Sequence, residues 1–348
     1  MQPIKTALCS FGMSGLVFHA PFIHLHEGFE LYGVFERTKN LAEEKYPGIK
    51  TFRSLEDMLA DDAIELVIVN TPNYTHFEYA KLALLANKHV VIEKPFTCTL
   101  AEAEQLIELA EKQSKKLSVY QNRRWDSDFK TVQKVVHEKL LGEVVEAEIH
   151  FDRYSEILSY KQHKETPGPG AGILYDLGPH LIDQALQLFG MPDGVFADTT
   201  NLRPISQVTD YVEMILFYKN LRVRLKSGYL VREPLPAYIF HGTKGSFIKP
   251  RADVQETDLQ SGKDLTDADW GIEPVEAKGL LHTDKDGQNV IREYIGSEKG
   301  NYMDYYDGLY HALRNDKPLP VSAEDGLKVM RIIDAAFRSV EAKGIVEL

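Results

Sequence analysis

A lysine at the end of a short apolar run is the first candidate for chemistry in this chain. The run Val90–Ile92 leads directly into Glu93, Lys94 and Pro95. In an open α/β sheet, ligands bind beyond the carboxyl ends of the strands, so a charged side chain at such an end faces the ligand. Pro95 disfavours helical backbone at Lys94 and so restricts its direction. Lys94 is therefore predicted to be catalytic and, with Glu93, to lie beside a cofactor; the alternative is a surface lysine that ends a strand.

A second candidate site surrounds Pro179. This proline suits the first turn of a helix, so Asp176 and His180 flank the helix start and share one face. A helix N-terminus favours the neutral imidazole, whereas a nearby carboxylate favours the charged form. Such opposition suits a histidine that takes a proton near neutral pH. Asp176 and His180 are therefore predicted to carry acid–base chemistry; the alternative is a capping aspartate beside a packed histidine.

The segment Ser10–Gly15 occupies the place of the dinucleotide fingerprint G-x-G-x-x-G, with Ser10 at the first glycine. Gly12 would let the backbone approach a pyrophosphate, and Gly15 would let the following helix pack closely on the strand. Met13 and Ser14 then lie where the helix amides meet the phosphates. The sequence therefore predicts a cofactor loop here. Ser10 is expected to alter the turn slightly, without loss of binding.

Glu36 ends the second predicted strand, about 20 residues beyond the glycines, where a carboxylate accepts hydrogen bonds from the adenosine ribose hydroxyls. A carboxylate at this position disfavours a 2′-phosphate, so NAD is the favoured cofactor. Arg37 follows directly, and its guanidinium could bind that phosphate instead. NADP therefore stays open.

A proline turn follows a further predicted strand, and His76 opens the helix after it. The turn consists of Asn70, Thr71, Pro72 and Asn73. These residues are candidates for lining the nicotinamide ribose, and that role is compatible with capping the helix. His76 is grouped with them, although a structural hydrogen bond is expected of it rather than catalysis.

Composition excludes several classes of protein. The chain has 348 residues, a formal net charge of −12 and only two cysteines, Cys9 and Cys98, which are expected to be free thiols. The acidic balance argues against a nucleic-acid partner. No apolar run approaches the ~20 residues that span a bilayer, and the start lacks a signal-peptide layout, so the cytoplasm is the predicted location. His19, His24 and His26 lack partners at zinc spacing, so no metal is predicted.

The candidate residues of the first part require a parallel sheet to position them. Residues 1–121 alternate strand and helix signals with short connections, which predicts a doubly wound sheet. The clearest helix runs from Leu100 to about Gln113, with Thr99 and Glu102 at the spacing of a capping box. Strands are predicted at Thr6–Phe11, Leu31–Phe35, Ile64–Val69, Val90–Ile92 and Leu117–Tyr120.

From residue 122 the pattern changes, and a second domain is predicted at 122–348, with C-terminal helices at 302–342 included. Val144–Tyr154 and Leu221–Tyr229 alternate as antiparallel strands with one solvated face do, and they carry acidic and basic rows that would pair if the strands were neighbours. The acidic stretch 251–300 predicts irregular loop, apart from a hairpin that turns at Asp286-Gly287. Helices are predicted at Tyr302–Asn315 and Ala323–Ala342.

Together these segments resemble the Gfo/Idh/MocA oxidoreductases. Two further segments, Phe18–Pro21 and Gln121–Asp126, are most similar to the branch that contains scyllo-inositol dehydrogenases. The resemblance to the family rests on the glycine loop, the turn at Thr71–Asn73 with His76, and the runs Lys88–Pro95, Asp176–Asp183 and Pro318–Gly326.

The resemblance implies a Rossmann domain followed by an α+β domain with a large open, mostly antiparallel sheet, which commonly forms the interface of a homodimer or homotetramer. It implies hydride transfer between NAD or NADP and a secondary alcohol of a sugar or of a cyclic polyol such as inositol. By matching motif, Lys94 would hydrogen-bond the reacting oxygen, His180 would exchange the hydroxyl proton, and Asp176 would orient the substrate and hold His180. A cis bond between Lys94 and Pro95 is also implied.

Other residues and other functions stay open. Polyol contacts from the second domain are expected from a group that could equally belong to the scaffold or to an interface: Asn122, Arg124, Trp125, Asp126, Arg153 and Tyr154. One rival function is a nucleotide-binding regulator that uses the same fold as a sensor without turnover. Another is the reduction of a ring other than a sugar.

Overall fold

The computed structural model describes residues 2–159, 161–233, 235–284, 287 and 289–348. Within this described part, the chain forms two compact units. The first comprises Met1–Asn122, Glu256–Ala268 and Tyr302–Met330, and the second comprises Arg123–Gln255, Asp269–Asn301 and Arg331–Leu348. None of the helices in the described ranges combines the length and apolar character needed to cross a membrane.

The strands of the first unit form a parallel sheet, and those of the second unit form a mostly antiparallel one. The first sheet consists of β1 (Ile4–Leu8), β2 (Phe29–Phe35), β3 (Lys50–Phe52), β4 (Leu66–Val69), β5 (His89–Glu93) and β6 (Leu117–Tyr120). The second consists of β7 (Val144–His150), β8 (Gly194–Thr200), β9 (Tyr211–Phe217), β10 (Arg222–Gly228), β11 (Tyr238–Gly242), β12 (Gly245–Lys249), β13 (Gly279–Asp284), β14 (Val290–Ile295) and β15 (Val346–Glu347).

The three helices predicted with bounds, near Leu100–Gln113, Tyr302–Asn315 and Ala323–Ala342, are confirmed. The α-helices of the described residues are α1 (Ala20–Leu25), α2 (Leu41–Lys45), α3 (Leu55–Leu59), α4 (His76–Leu85), α5 (Leu100–Lys112), α6 (Ser127–His137), α7 (Gln162–Glu165), α8 (Ile173–Asp176), α9 (Gly178–Phe189), α10 (Gln255–Ser261), α11 (Met303–Asn315) and α12 (Ala323–Ala342). The capping box of α5 is confirmed, because Thr99 Oγ1 accepts from the amide of Glu102 and the Glu102 carboxylate accepts from the amide of Thr99.

The strand order of the first sheet, β3-β2-β1-β4-β5-β6 in the described residues, confirms the predicted doubly wound Rossmann fold. All described pairs in it are parallel. From β1 the sheet extends through β2 and β3 on one side and through β4, β5 and β6 on the other. The switch point, at which the strand order reverses, therefore lies between β1 and β4. The carboxyl ends of these strands and of β5 therefore point toward the same edge, where the glycine loop and Lys94 follow.

The second sheet has the order β14-β13-β12-β11-β7-β10-β9-β8-β15 over the described residues. It confirms the large, mostly antiparallel sheet, with one correction: β7 is antiparallel to β11 but parallel to β10. The predicted neighbourhood of the acidic and basic rows is confirmed. Arg224 lies opposite Glu148, and its Nη1 donates to a Glu148 carboxylate oxygen at 2.6 Å.

The stretch 251–300 holds more structure than predicted. α10 was expected to be loop because its residues are polar and lack an apolar stripe. The buried side chain of Gln255 anchors its start by donating to the carbonyl of Trp125 at 3.1 Å. The predicted hairpin is confirmed by the antiparallel pairing of β13 and β14. Asp286 of its turn lies outside the described residues.

The helix α11 groups with the first unit, whereas the sequence assigned 302–342 to the second domain. The reason is aromatic packing, which the spacing of residues in the sequence does not reveal. Tyr306 stacks on Phe22 with ring centroids 5.4 Å apart, and the hydroxyl of Tyr305 lies 2.8 Å from that of Ser118 in β6. These buried rings pack α11 against α1, which follows the glycine loop, and against the strand β6.

Candidate active site

Ser10 and Asn70 join the carboxyl ends of β1 and β4. The Ser10 amide donates to Asn70 Oδ1 at 3.0 Å, the Ser10 hydroxyl donates to the Asn70 carbonyl at 2.9 Å, and Asn70 Nδ2 donates to the Ser10 carbonyl at 2.9 Å. This bracing accounts for a serine in place of the first glycine, because its hydroxyl secures the switch point. Asn70 opens the turn that the sequence predicts beside the nicotinamide ribose, but its pairing with Ser10 was not predicted.

The glycine loop has the geometry expected of a pyrophosphate site. A Cβ on Gly15 would lie 2.5 Å from the Ser10 carbonyl oxygen, so this position requires glycine for the helix to approach the strand. A Cβ on Gly12 would meet nothing within 4 Å, which leaves open space beside the backbone. A helical segment follows, with a π-helical turn at Gly15–His19 that runs into α1. The loop and the amides after Ser14 therefore fit a bound dinucleotide.

Glu36 is directed toward the backbone of α2. Its two carboxylate oxygens accept from the amides of Leu41 and Ala42, at 3.3 and 3.0 Å, and its side chain is buried. Arg53 steadies the same loop by donating to the Glu36 carbonyl at 2.8 Å. Arg37, by contrast, is exposed. Glu36 thus stabilises the N-terminus of a helix, where unpaired amides favour a carboxylate.

The turn at Thr71–Asn73 is held by His76 and Thr75. The buried ring of His76 lies 2.8 Å from the Pro95 carbonyl oxygen through Nδ1 and 2.9 Å from the Thr71 carbonyl oxygen through Nε2. Burial lowers the pKa of His76, and the two carbonyl oxygens oppose that shift. His76 therefore links this turn to the segment after Lys94, which is the structural hydrogen bonding expected of it.

Lys94 follows β5 directly, and its bond to Pro95 is cis, as the resemblance implied. The carboxylate of Glu93 accepts from the Lys94 amide at 3.1 Å and from the hydroxyl of Ser14, and it lies 3.0 Å from His19 Nε2. Burial alone would raise the pKa of Glu93, but His19, Ser14 and the Lys94 charge outweigh it and lower the pKa to about 2. Glu93 is therefore an ionised carboxylate bound to protein donors beside Lys94.

Asp176 ends α8, and α9 begins two residues later with Pro179 in its first turn. The N-cap of α9 is Leu177, so Asp176 does not cap it. The Asp176 carboxylate accepts instead from the Tyr229 hydroxyl at 3.2 Å and from the ammonium of Lys164. Burial, followed by the nearby charge of Asp176, raises the pKa of Tyr229, which keeps its hydroxyl a donor. Sequence reasoning missed both Lys164 and Tyr229 because nothing in their spacing links them to Asp176.

His180 lies in the first turn of α9, and its ring stacks on Phe151 with centroids 6.2 Å apart. Guanidinium groups surround the same phenyl ring, with Arg251 at 4.1 Å, Arg123 at 5.1 Å and Arg153 at 5.3 Å from its centroid. Arg153 was predicted, whereas Arg123 and Arg251 were missed. The ring therefore connects the candidate proton acceptor to a cationic cluster.

The other residues predicted to contact a substrate have protein partners. The guanidinium of Arg124 is buried and donates to both carboxylate oxygens of Asp183, at 2.8 and 2.6 Å. Such a bidentate buried pair supports the scaffold interpretation of Arg124. Asn122 is buried, and Asp126 is buried beside Arg123. The Trp125 carbonyl accepts from Gln255 and Asn301. Tyr154 is exposed, and the guanidinium of Arg232 lies over its ring.

The three histidines near the glycine loop have separate partners. His26 Nε2 lies 3.0 Å from Asp307, the ring of His24 packs on Tyr46, and His19 contacts Glu93. No group of His, Cys, Asp or Glu side chains within the described ranges has the arrangement of a metal site. Cys9 and Cys98, both described, are buried free thiols, as predicted.

Comparisons with known proteins agree with this geometry. Residues 4–121 match the NAD-binding Rossmann domain of the Gfo/Idh/MocA oxidoreductase family, and residues 133–348 match its C-terminal α/β domain. The chain is 39% identical to the uncharacterized oxidoreductase YdgJ of Escherichia coli K12, over 97% of this chain and 96% of that protein. It is 38% identical to the scyllo-inositol 2-dehydrogenase (NADP(+)) IolW of Bacillus subtilis 168, over 100% of this chain and 97% of that protein.

Solved structures show the same likeness. A putative oxidoreductase from Bacteroides fragilis NCTC 9343 has a TM-score of 0.91 at 45% identity, covering 99% of this chain and 100% of that chain. The putative oxidoreductase YvaA from Bacillus subtilis has a TM-score of 0.95 at 37% identity, covering 99% and 98%. Because both domains match over nearly their whole length, the chain belongs to the Gfo/Idh/MocA family of oxidoreductases.

Proposed function

We propose that this protein is a dehydrogenase that transfers a hydride between a nicotinamide cofactor and a secondary alcohol of a sugar or of a cyclic polyol such as inositol. The observation that carries the proposal is Lys94, an ammonium group directly after the carboxyl end of the parallel strand β5, beside an ionised carboxylate that binds the glycine loop. The names of relatives support the substrate class. Besides the inositol enzyme, they include a D-xylose 1-dehydrogenase (NADP(+)) of Haloferax volcanii and a glucose-6-phosphate 3-dehydrogenase of Bacillus subtilis.

Each proposed role follows from the charge that the reaction creates. Oxidation of a secondary alcohol removes a hydride from carbon and a proton from oxygen. The nicotinamide nucleotide, when bound, supplies the hydride acceptor. Lys94 hydrogen-bonds the reacting oxygen and stabilises the negative charge that develops on it. His180 takes the hydroxyl proton, while Asp176, held by Lys164 and Tyr229, orients the substrate.

A substrate panel tests the proposal. Inositol isomers, aldoses and linear tetrapyrroles are each incubated with NAD and with NADP, and formation or consumption of the reduced nucleotide is followed by absorbance. Turnover of at least one polyol or aldose is the expected result. Nucleotide binding without turnover of any compound would support the regulator instead, and turnover confined to the tetrapyrroles would support a reductase of another ring.

We also propose NADP as the preferred cofactor. Although the sequence favours NAD, Glu36 is buried with both oxygens on backbone amides, and the adjacent Arg37 is exposed. An exposed guanidinium suits a 2′-phosphate, which binds best to a planar donor. The inositol and xylose relatives are both named as NADP(+) enzymes, which supports the same choice.

Replacing Arg37 by alanine is expected to raise the KM for NADP about 30-fold, because charge-assisted hydrogen bonds worth roughly 2 kcal/mol are lost. The KM for NAD should stay within about threefold, since that nucleotide carries no 2′-phosphate. Initial rates measured against each nucleotide give both constants. Glu36→Gln serves as the control and should alter the preference little; a clear gain for NADP in that variant would place Glu36 at the ribose and contradict the assignment.

The second sheet is proposed to form a homodimer or homotetramer. On β9, alternate residues are only partly buried, and they include the apolar side chains of Ile215 and Phe217. Partly exposed apolar residues on a broad sheet suit a second copy of the chain as cover. Light scattering at micromolar concentration checks this, and the mass of a single chain would contradict it.

A further inference from the structure

A network of hydrogen bonds in the first unit joins Lys94 to Glu93, Ser14, His19 and Tyr306. The proposed reaction assigns no role to His19 or Tyr306. The side chain of Ser14 and the ring of His19 both reach the same oxygen of Glu93, the serine through its hydroxyl and the histidine through Nε2 at 3.0 Å. The other Glu93 oxygen accepts the amide of Lys94 at 3.1 Å. One carboxylate therefore binds the cofactor loop, the helical turn after it and the strand end that carries the candidate lysine.

The positions of the protons in this hydrogen-bond network follow from the charge of Glu93. Glu93 is ionised, with its pKa lowered to about 2, so it can only accept. His19 Nε2 must then carry a proton and donate. On its other side, His19 Nδ1 lies 2.8 Å from the hydroxyl of Tyr306, which is itself 2.8 Å from the carbonyl oxygen of Phe18. The imidazole ring is thus fixed at both nitrogens, inside the segment Phe18–Pro21 that sequence analysis singled out.

We propose that His19 is a positioning residue for Lys94, acting through Glu93, and that the shared carboxylate couples dinucleotide binding at Ser14 to the aim of Lys94. This inference rests on the proposed function. Ser14 belongs to the loop that fits the pyrophosphate, so a nucleotide that orders the loop also fixes a donor to Glu93. Loss of the His19 donor leaves the Glu93 carboxylate, whose side chain is only 13% exposed, short of a partner, and this releases the strand end.

The size of the effect follows from how steeply catalysis depends on placement. Since a misplacement of ~1 Å can cost about 100-fold in rate, His19→Leu is expected to lower kcat about 30-fold with the polyol KM nearly unchanged. Hydrogen exchange at the Lys94 amide, measured without nucleotide, should become faster because its acceptor is no longer fixed. The dinucleotide Kd, measured by calorimetry, should rise several-fold.

Matched variants separate positioning from folding. His24→Leu replaces an exposed histidine of the next helical turn and should leave kcat, amide exchange and Kd unchanged. His19→Gln retains an N–H donor for Glu93 and should recover much of the loss. Tyr306→Phe removes the partner of Nδ1 and provides a milder variant if His19→Leu does not fold. Melting curves show whether each variant retains the native fold.

The coupling itself is tested by combining Ser14→Ala with His19→Leu. Because both side chains bind one oxygen, the double variant should raise the dinucleotide Kd less than the product of the single effects. Independent effects, or a folded His19→Leu protein with native kcat and native exchange at Lys94, would overturn the inference. If Lys94→Met retained turnover, the proposed function would fail, whereas the exchange and Kd measurements would still decide whether His19 holds the strand end.

Discussion

Replacing Lys94 by methionine is expected to abolish turnover while the protein still binds its dinucleotide. Methionine keeps most of the length and bulk of the side chain but removes the ammonium group. The developing charge on the substrate oxygen then has no cation beside it, and loss of such a donor lowers kcat by about a thousand-fold. Steady-state rates measure the loss, and calorimetric titration with the nucleotide measures the binding that should remain.

Lysine 112 provides the matched control for this experiment. Lys112 is an exposed residue at the C-terminal end of α5 in the same unit, so Lys112→Met removes an equal charge. Its kcat should be that of the unmodified protein. If Lys94→Met also retained full kcat, the enzyme proposal would be contradicted; if it lost nucleotide binding instead, Lys94 would serve the cofactor rather than the substrate.

The first sheet could be predicted from the sequence because each buried parallel strand is a short apolar run that ends at a polar or turn residue. Leu117–Tyr120 was predicted with its observed bounds, and the other predicted strands overlap the observed ones. β3 was missed because Lys50–Phe52 is too short to form an apolar run. Its place in the sheet is decided by pairing with β2, which local sequence does not encode.

The positions of the candidate residues were more predictable than their partners. Motif spacing singled out Lys94, Asp176 and His180, since each stands at the end or start of a recognisable element. The groups that hold them come from distant parts of the chain. Lys164 reaches Asp176 from α7, and Tyr229 reaches it from the residue after β10; no periodicity links such segments. Long-range contacts of this kind become visible only in the folded chain.

Glu36 shows how a position can be predicted while the partners of its side chain are not. The sequence located it at the end of β2, and the structure agrees. Its carboxylate, however, accepts hydrogen bonds from the amides at the start of α2. These amides have no acceptor within the helix itself. The direction of this side chain depends on the backbone that follows it, which the sequence pattern did not reveal.

A second large effect is expected at His180. Replacement by asparagine removes the proton acceptor but keeps a polar side chain of similar reach, and the loss of a positioned base lowers kcat/KM by about 100-fold to 10,000-fold. The dependence on pH should change as well. A base that must be unprotonated gives kcat/KM a descending limb toward acid, and His180→Asn should remove that limb. Rates measured from acid to alkaline pH test both outcomes.

His137→Asn is the control, because His137 is an exposed residue of α6 in the same unit. Its pH profile should match that of the unmodified protein.

Asp176→Asn distinguishes substrate orientation from proton transfer. It removes the charge that Lys164 and Tyr229 hold in place, so the polyol KM should rise together with the fall in kcat. If the acid limb persisted in His180→Asn, another group would be the base. The cationic cluster around Phe151 would then be a scaffold for a packed histidine, because its arginines stay protonated at any working pH and cannot accept the proton.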